Sequence, residues 1–355
     1  MTALVIAGGG LAGAAAACGL AQAGLGVTVL ERSTGPSDKI CGDFLSAEAQ
    51  HYLRRLGLDP VGLGGHQITQ VRVVRGASIA QSTLPFRGLG LSRRVLDEAL
   101  LVHAGQSGAE IRRGVNVACL SPDITFLATG KHDLRGAARV LGRPPEALVG
   151  FKMYLRLAPA MQLELSGAVE VILFDDGYAG LQMVERGQAN LCLLIPAERL
   201  ARSGGTWAGL LDDLQHSSPH LRRRLHGAEM LLARPLAIAR VPYGFIHASD
   251  PAETVYRLGD QACVIPSFSG DGMSMALHSA ALAVRCYRDG LSPARYHARL
   301  RDDVRRPIGR ACALYRIGQS RPGQALLVQA LQLWPRLLRM AASATRVAEP
   351  AWLLD

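Results

Sequence analysis

The chain has 355 residues, 49% hydrophobic and 19% charged, with a formal net charge of +10. That length and apolar content suit a folded protein of two domains, or one α/β domain with a large insertion, and exclude a disordered chain. Seven cysteines, scattered and without a CxxC pair, argue for reduced thiols in the cytoplasm and against a disulfide framework or a metal centre.

A short apolar run, Thr2 to Ala7, leads into Gly8-Gly9-Gly10-Leu11-Ala12-Gly13, which fits G-x-G-x-x-G. An alanine-rich helix is predicted to about Gly24, and a second strand, Val27 to Leu30, ends on Glu31. Gly8 permits a tight turn, Gly10 lets a pyrophosphate approach the backbone, and Gly13 lets the helix pack on the sheet. The free N–H groups of the helix start at Leu11 and Ala12 favour phosphate charge. Glu31 follows Gly13 by 18 residues, where a carboxylate would accept hydrogen bonds from a ribose diol. Together these parts form a dinucleotide-binding unit. The segment also lacks the basic leader of a signal peptide.

Beyond Glu31, residues Arg32 to Phe44 form an irregular loop, and Ser46 is the predicted N-cap of a helix reaching about Leu56. Gln67 to Val74 and Ser78 to Leu84 alternate like strands. An amphipathic helix starts in Leu91-Ser92-Arg93-Arg94-Val95-Leu96-Asp97, with Leu96, Leu100, Leu101 and Ala104 at helical spacing. Ile124 to Ala128 reads as a buried strand ending in Thr129-Gly130. From Phe151 to Ala197 long strands follow one another, which predicts an antiparallel sheet inserted between parts of the nucleotide-binding domain.

Helices are expected from Pro196 to about Leu232, and strand-like Thr254 to Leu258 leads into Gly259-Asp260. After a helix starting near Met273, the chain from Pro293 reads as helices with Pro307, Pro322 and Pro335 as breaks. Leu326 to Met340 is apolar with basic edges; ordinary packing is favoured over closing the cavity or resting on a membrane surface. The arginines of 222–224 and 301–310 carry no recognition-helix or RNA-binding signature, so they read as a solvated face and no nucleic acid is expected. No run of 18 apolar residues occurs, so no membrane span is expected.

The segment Tyr256-Arg257-Leu258-Gly259-Asp260, continuing through Pro266 to Ser269-Gly270-Asp271-Gly272-Met273, repeats the first design: a strand delivers an acid, and a glycine turn opens a helix. With this island, the glycine turn and Glu31, Lys39-Ile40-Cys41-Gly42 and the helix start at Ser92-Arg93, the chain resembles the FAD-dependent oxidoreductases of the p-hydroxybenzoate hydroxylase and geranylgeranyl reductase type over roughly residues 1–290. The resemblance implies an α/β fold: a Rossmann-type FAD-binding domain, an inserted antiparallel β-sheet substrate domain and C-terminal helices. Its divisions would be 1–65, 88–145 and 248–290 for FAD, 66–87 and 146–247 for substrate, and 291–355 for the helices.

FAD would then be held by Gly8, Gly10, Leu11, Ala12, Gly13, Glu31, Arg32, Cys41, Gly42, Arg93, Gly130, Gly259, Asp260, Pro266, Gly270, Gly272 and Met273. Glu31 would hold the adenosine ribose, Arg93 and Asp260 the pyrophosphate and ribityl region, and the Gly270–Met273 turn the isoalloxazine edge. Many hydroxylases of this group carry an Asp-Gly in mid-chain that serves FAD and a nicotinamide donor; here that place reads Thr129-Gly130-Lys131-His132, without the acid. The tryptophan-rich motif of flavin-dependent halogenases is absent. Cys41, His132, Tyr178, Tyr243 and His247 are the pocket candidates, and each has a structural reading as a packed or solvated side chain.

The expected activity is NADH- or NADPH-dependent hydroxylation of an aromatic or polyketide-like, hydrophobic small molecule, through a flavin C4a-hydroperoxide. One alternative is a geranylgeranyl-reductase-like reduction of a carbon–carbon double bond, favoured by Cys41-Gly42 and the apolar C-terminal helices. Another is a flavin-binding protein without catalysis.

Overall fold

The structure is a computed structural model that describes residues 3–142, 147–348 and 351. Thr2 and the boundary expected between residues 145 and 146 lie outside the described residues. In chain order the first part runs β1 (Leu4–Ala7), α1 (Leu11–Gln22), β2 (Val27–Glu31), β3 (Phe44–Leu45), α2 (Ala47–Arg55), β4 (His66–Arg75), β5 (Ser78–Gly90), α3 (Arg93–Gln106), β6 (Glu110–Arg113) and β7 (Ile124–Leu127). There follow β8 (Leu148–Arg156), α4 (Pro159–Leu165), β9 (Gly167–Phe174), β10 (Gly177–Met183), β11 (Ala189–Pro196), α5 (Ala197–Arg202), α6 (Trp207–Ser217) and α7 (Pro219–Leu225). The last part holds β12 (Glu229–Met230), β13 (Leu236–Ala239), β14 (Tyr256–Arg257), α8 (Gly272–Arg288), α9 (Pro293–Ile317), α10 (Arg321–Leu333) and α11 (Arg336–Ala344).

Strands β14, β7, β1, β2 and β6 form a parallel sheet in that order. Helix α1 is buried almost all round, because its Ala14, Ala16 and Ala17 leave no bulk between it and its neighbours. Ser46 and Ser92 cap α2 and α3, each accepting a hydrogen bond on Oγ, from Ala49 N and Val95 N.

The second sheet has the order β12-β8-β11-β10-β9-β4-β5-β3, with β13 also pairing with β8. Most of its neighbours pair antiparallel, as expected, but it is mixed: β4 and β9 run parallel. One face packs Met153, Leu155, Leu181 and Leu191 against Leu210 and Leu214 of α6. Period-two alternation sends Gly150, Lys152, Tyr154, Tyr178 and Cys192 to the other face, toward the first sheet.

The C-terminal helices depart from expectation in one place. Pro307 does not break α9, which runs through it from Pro293 to Ile317. Burial of Tyr296, Leu300, Val304, Ile308 and Ala311 along one side offsets the single backbone hydrogen bond the proline removes. The break expected at Pro335 is present: the apolar stretch from Leu326 to Met340 is shared between two helices parted at Trp334-Pro335, and they pack through Val328, Leu331 and Leu338 on Val71, Val73 and Ala80 of β4 and β5. Neither lines the cavity described next.

Candidate active site

Between the two sheets lies a cavity of about 500 Å³, within the range of small-molecule and cofactor sites. At one end the β1–α1 turn is fixed by close backbone approaches. Gly8 has φ +102°, and a Cβ on Gly13 would lie 1.9 Å from the Gly8 carbonyl oxygen. The carboxylate of Glu31 accepts from Gly9 N at 2.7 Å and from Ser33 N at 2.8 Å. Burial works to raise its pKa, but the Ser33 and Gly9 amides outweigh that and hold it below the usual carboxylate range. Arg93 grips Asp97 with both Nε (2.5 Å) and an Nη (2.8 Å), and a Cβ on Gly10 would come within 3.7 Å of that guanidinium.

Gly10, Leu11, Ala12, Glu31, Arg32, Gly130, Gly259, Asp260, Gly270, Gly272 and Met273 all line this one cavity, although they come from distant parts of the chain. Around a Cβ built on Gly272 at the start of α8, nothing lies within 4 Å. An open helix start, a glycine turn too tight for side chains and an ionised carboxylate at the end of β2 fit a dinucleotide. Gly13 and Pro266 lie behind the wall: Gly13 packs helix on strand, and Pro266 is buried.

Where the acid before Gly130 was missing, Lys131 stands after it. Its Nζ is 3.6 Å from Asp260 Oδ2 and donates to the Ile40 carbonyl at 3.0 Å, tying together three segments of the wall. His132 sits beside Arg32, whose Nη donates to its Nε2 at 2.9 Å. Burial, then the neighbouring cations Arg32, Lys39, Lys131 and Arg139, push the imidazole below its ordinary pKa, so it stays neutral. It belongs to the Glu31 end of the cavity.

The opposite end is apolar, with Leu194, Leu236, Ile238, Val241 and Ile265 in its wall, and holds three converging hydroxyls. Tyr178 Oη is 2.5 Å and Tyr243 Oη 2.6 Å from Ser267 Oγ, and all three residues line the cavity. Burial pushes the Tyr243 phenol up to about 12 and Tyr178 well above its ordinary value, so both are neutral hydroxyls. Ser267 lies just ahead of Gly270, where φ is +74° and a Cβ would meet the Phe44 ring at 2.8 Å. Cys41 also lines the cavity, whereas His247 does not. The imidazole of His247 bonds Glu253 at 2.9 Å and packs edge-on against His297, in a separate polar cluster against α9.

Several residues of the wall and floor escaped the sequence reading. Asp43, in the left-handed region at φ +58°, accepts on Oδ2 from Lys152 Nζ (2.6 Å), Tyr154 Oη (2.8 Å) and Asn190 Nδ2 (2.9 Å). The lysine and the aspartate are fully buried. A signal was available: Lys152 interrupts the otherwise apolar run Phe151 to Leu155, on the strand face shared with Gly150 and Tyr154. Ser267, at the start of the short turn Ser267–Ser269, carried no signal that set it apart from Ser269.

Fold and cavity together define a flavoprotein. Residues 1–126 match the family described as FAD binding domain. The structure superposes on the flavin-dependent brominase Bmp2 with a TM-score of 0.75 at 17% identity, covering 98% of this chain and 95% of that one. For the probable FAD-dependent monooxygenase PqsL of Pseudomonas aeruginosa the TM-score is 0.70 at 17% identity, with 91% of this chain and 98% of that one covered. In sequence the chain is 25% identical to the menaquinone reductase of Mycolicibacterium smegmatis over 325 residues, 81% of this chain and 76% of the relative. A menaquinone reductase of Mycobacterium tuberculosis is 30% identical over 125 residues, 34% of this chain and 31% of that protein. The chain therefore carries an FAD-binding domain over residues 1–126, has the fold of these flavin-dependent enzymes, and is a distant homologue of the menaquinone reductases.

Proposed function

We propose that the chain reduces a carbon–carbon double bond in an apolar molecule that carries a quinone- or phenol-type oxygen. The observation that carries this reading is the Tyr178–Ser267–Tyr243 cluster, set in an otherwise apolar wall beside the Gly270–Gly272 turn. Reducing such a bond adds a hydride to one carbon and a proton to the other. FAD, when bound and reduced, supplies the hydride. The protein's task is the proton, and neutral hydroxyls joined through one serine can hold it and pass it on. Asp43, one of the carboxylates in the cavity lining, is committed to Lys152. The likeness to menaquinone reductases over most of the chain supports a quinone with an apolar tail as substrate class.

Hydroxylation with O₂ is the second reading, favoured by the same hydroxyls: two tyrosines on one serine suit a phenol that must lose its proton before attack. NADH or NADPH is the proposed electron donor for either reaction. The two are separated by reducing the enzyme-bound flavin chemically under anaerobic conditions and adding menaquinone. Reduction predicts flavin reoxidation without oxygen and a product that stays two hydrogens heavier after any quinol is reoxidised to the quinone. Reoxidation that waits for air, with one oxygen gained, supports hydroxylation instead. Menaquinone recovered unchanged, with or without air, sinks both readings for this substrate class.

A further inference from the structure

The positive charge of this protein is not spread evenly. Residues 304–348 hold eight of the 39 basic residues and none of the 29 acidic ones, so this one stretch carries eight of the ten net charges. The same stretch exposes Ile317, Leu326, Leu333, Trp334, Leu337 and Met340, about half of all the large hydrophobic side chains that the described residues expose. Leu333, Trp334 and Met340 are more than 60% exposed, far beyond what packing against the protein explains.

The helices explain the pattern. Val328, Leu331 and Leu338, with Leu327 partly buried beside them, turn inward onto β4 and β5, whereas Leu326, Leu333, Leu337 and Met340 turn away from the protein. Arg336 and Arg339 lie exposed among them and form no salt bridge among the described residues, unlike Arg321, which pairs with Asp175 at 2.8 Å. Trp, Leu and Met interleaved with arginine on an outward helix face is the composition of a segment lying in a membrane interface. No helix among the described residues is long and apolar enough to cross a membrane. A second copy of the same face is a poor occupant, because a two-fold contact would set the Arg336 and Arg339 of each copy against those of the other.

We propose that the α10–α11 face docks flat on an anionic lipid surface, with Trp334, Leu337 and Met340 entering the acyl boundary and Arg336 and Arg339 at the phosphates. The surface adjoins the hydroxyl end of the cavity. Tyr315, near the end of α9, packs its ring on Tyr243 at 5.7 Å, and Leu173 touches both the α10–α11 cluster and the cluster around Tyr178. Docking there would bring the apolar end of the cavity close to a bilayer in which an apolar quinone dissolves. That consequence rests on the proposed substrate class; the docking itself does not.

The test is co-sedimentation of the full chain, loaded with FAD, with vesicles of phosphatidylglycerol and phosphatidylcholine or of phosphatidylcholine alone. Binding to the anionic vesicles should be about tenfold or more stronger and should fall with salt. Arg336→Gln with Arg339→Gln should weaken it about fivefold per charge. Trp334→Ser, Leu337→Ser and Met340→Ser together should abolish it at low salt, with thermal unfolding and flavin binding unchanged. Equal binding to both vesicle types, or wild-type binding by the triple variant, overturns the proposal. So does a concentration-dependent dimer in light scattering that the triple variant removes while no vesicle binding occurs. Turnover of detergent-dispersed menaquinone by the triple variant reads the active site separately, so the two proposals fail independently.

Discussion

Lys152 Nζ lies 2.6 Å from Asp43 Oδ2, and neither side chain reaches solvent. The pair joins the second sheet to the loop that leaves β2, and so fixes the cofactor half of the cavity against the hydroxyl half. The same Nζ donates to the Lys39 carbonyl at 3.0 Å, and Gln182 Nε2 donates to the Asp43 carbonyl at 2.9 Å. Burial lifts the Asp43 carboxyl above its usual range, with Lys152 opposing.

Lys152→Met should therefore cost about 3–5 kcal/mol, since it leaves a buried carboxylate without its cation. Pairing it with Asp43→Asn should recover a large part of that loss, because no charge is then stranded. Urea unfolding of the two variants decides it. Equal losses in both would mean that the pair is not what joins the halves.

The glycine turn makes a sharper steric prediction. In Gly13→Ala the new methyl would lie 1.9 Å from the Gly8 carbonyl oxygen, so helix and strand must part. A cost of about 1–3 kcal/mol and at least tenfold weaker FAD binding are expected. Gly35 has open space around it, and Gly35→Ala should stay within about 0.5 kcal/mol of wild type. Flavin fluorescence titration of both reads the contrast.

The first sheet and its glycine turn were legible because local rules set them: a short apolar strand, a fixed glycine spacing and an acid at the end of β2. The caps at Ser46 and Ser92 were legible for the same reason, as their hydrogen bonds reach only three residues along the chain. The parallel β4–β9 pair was not, because its partners lie about a hundred residues apart and alternation says nothing of strand direction. The misplacement of His247 has a similar origin. A histidine four residues beyond a cavity residue such as Tyr243 carries no mark of which way the chain turns after Pro242, and here it turns toward Glu253 and α9. Lys152 needed only the question of why a lysine stands in a buried strand.

Tyr178→Phe and Tyr243→Phe each remove one hydroxyl and keep the ring that packs on Phe268 or Tyr315. If the cluster delivers the proton, kcat should fall about 10²-fold in each with FAD affinity unchanged. The double variant should be little worse than either single one, because the three hydroxyls act as one chain. A rise in KM alone, with kcat intact, would reduce the tyrosines to substrate-binding groups.

Acid should loosen the second sheet through Glu170. This carboxylate has no solvent exposure and accepts from Arg72 (3.0 Å), His220 (2.8 Å) and Arg224 (2.6 Å), joining β4, β9 and α7. Burial alone would raise its pKa, but His220 and Arg224 outweigh burial and pull it down to about 2 from an ordinary 4.5. The unfolded chain therefore binds the proton more readily than the fold does. The stabilisation is complete above pH 4.5 and drains away as the pH falls toward 2, about 3 kcal/mol over the window. Glu170→Gln cannot titrate, so its unfolding free energy should start lower at pH 7 and stay flatter between pH 4.5 and 2. Urea titrations of both proteins across that range provide the comparison, and acid limbs that run parallel would remove Glu170 from the account of acid loss.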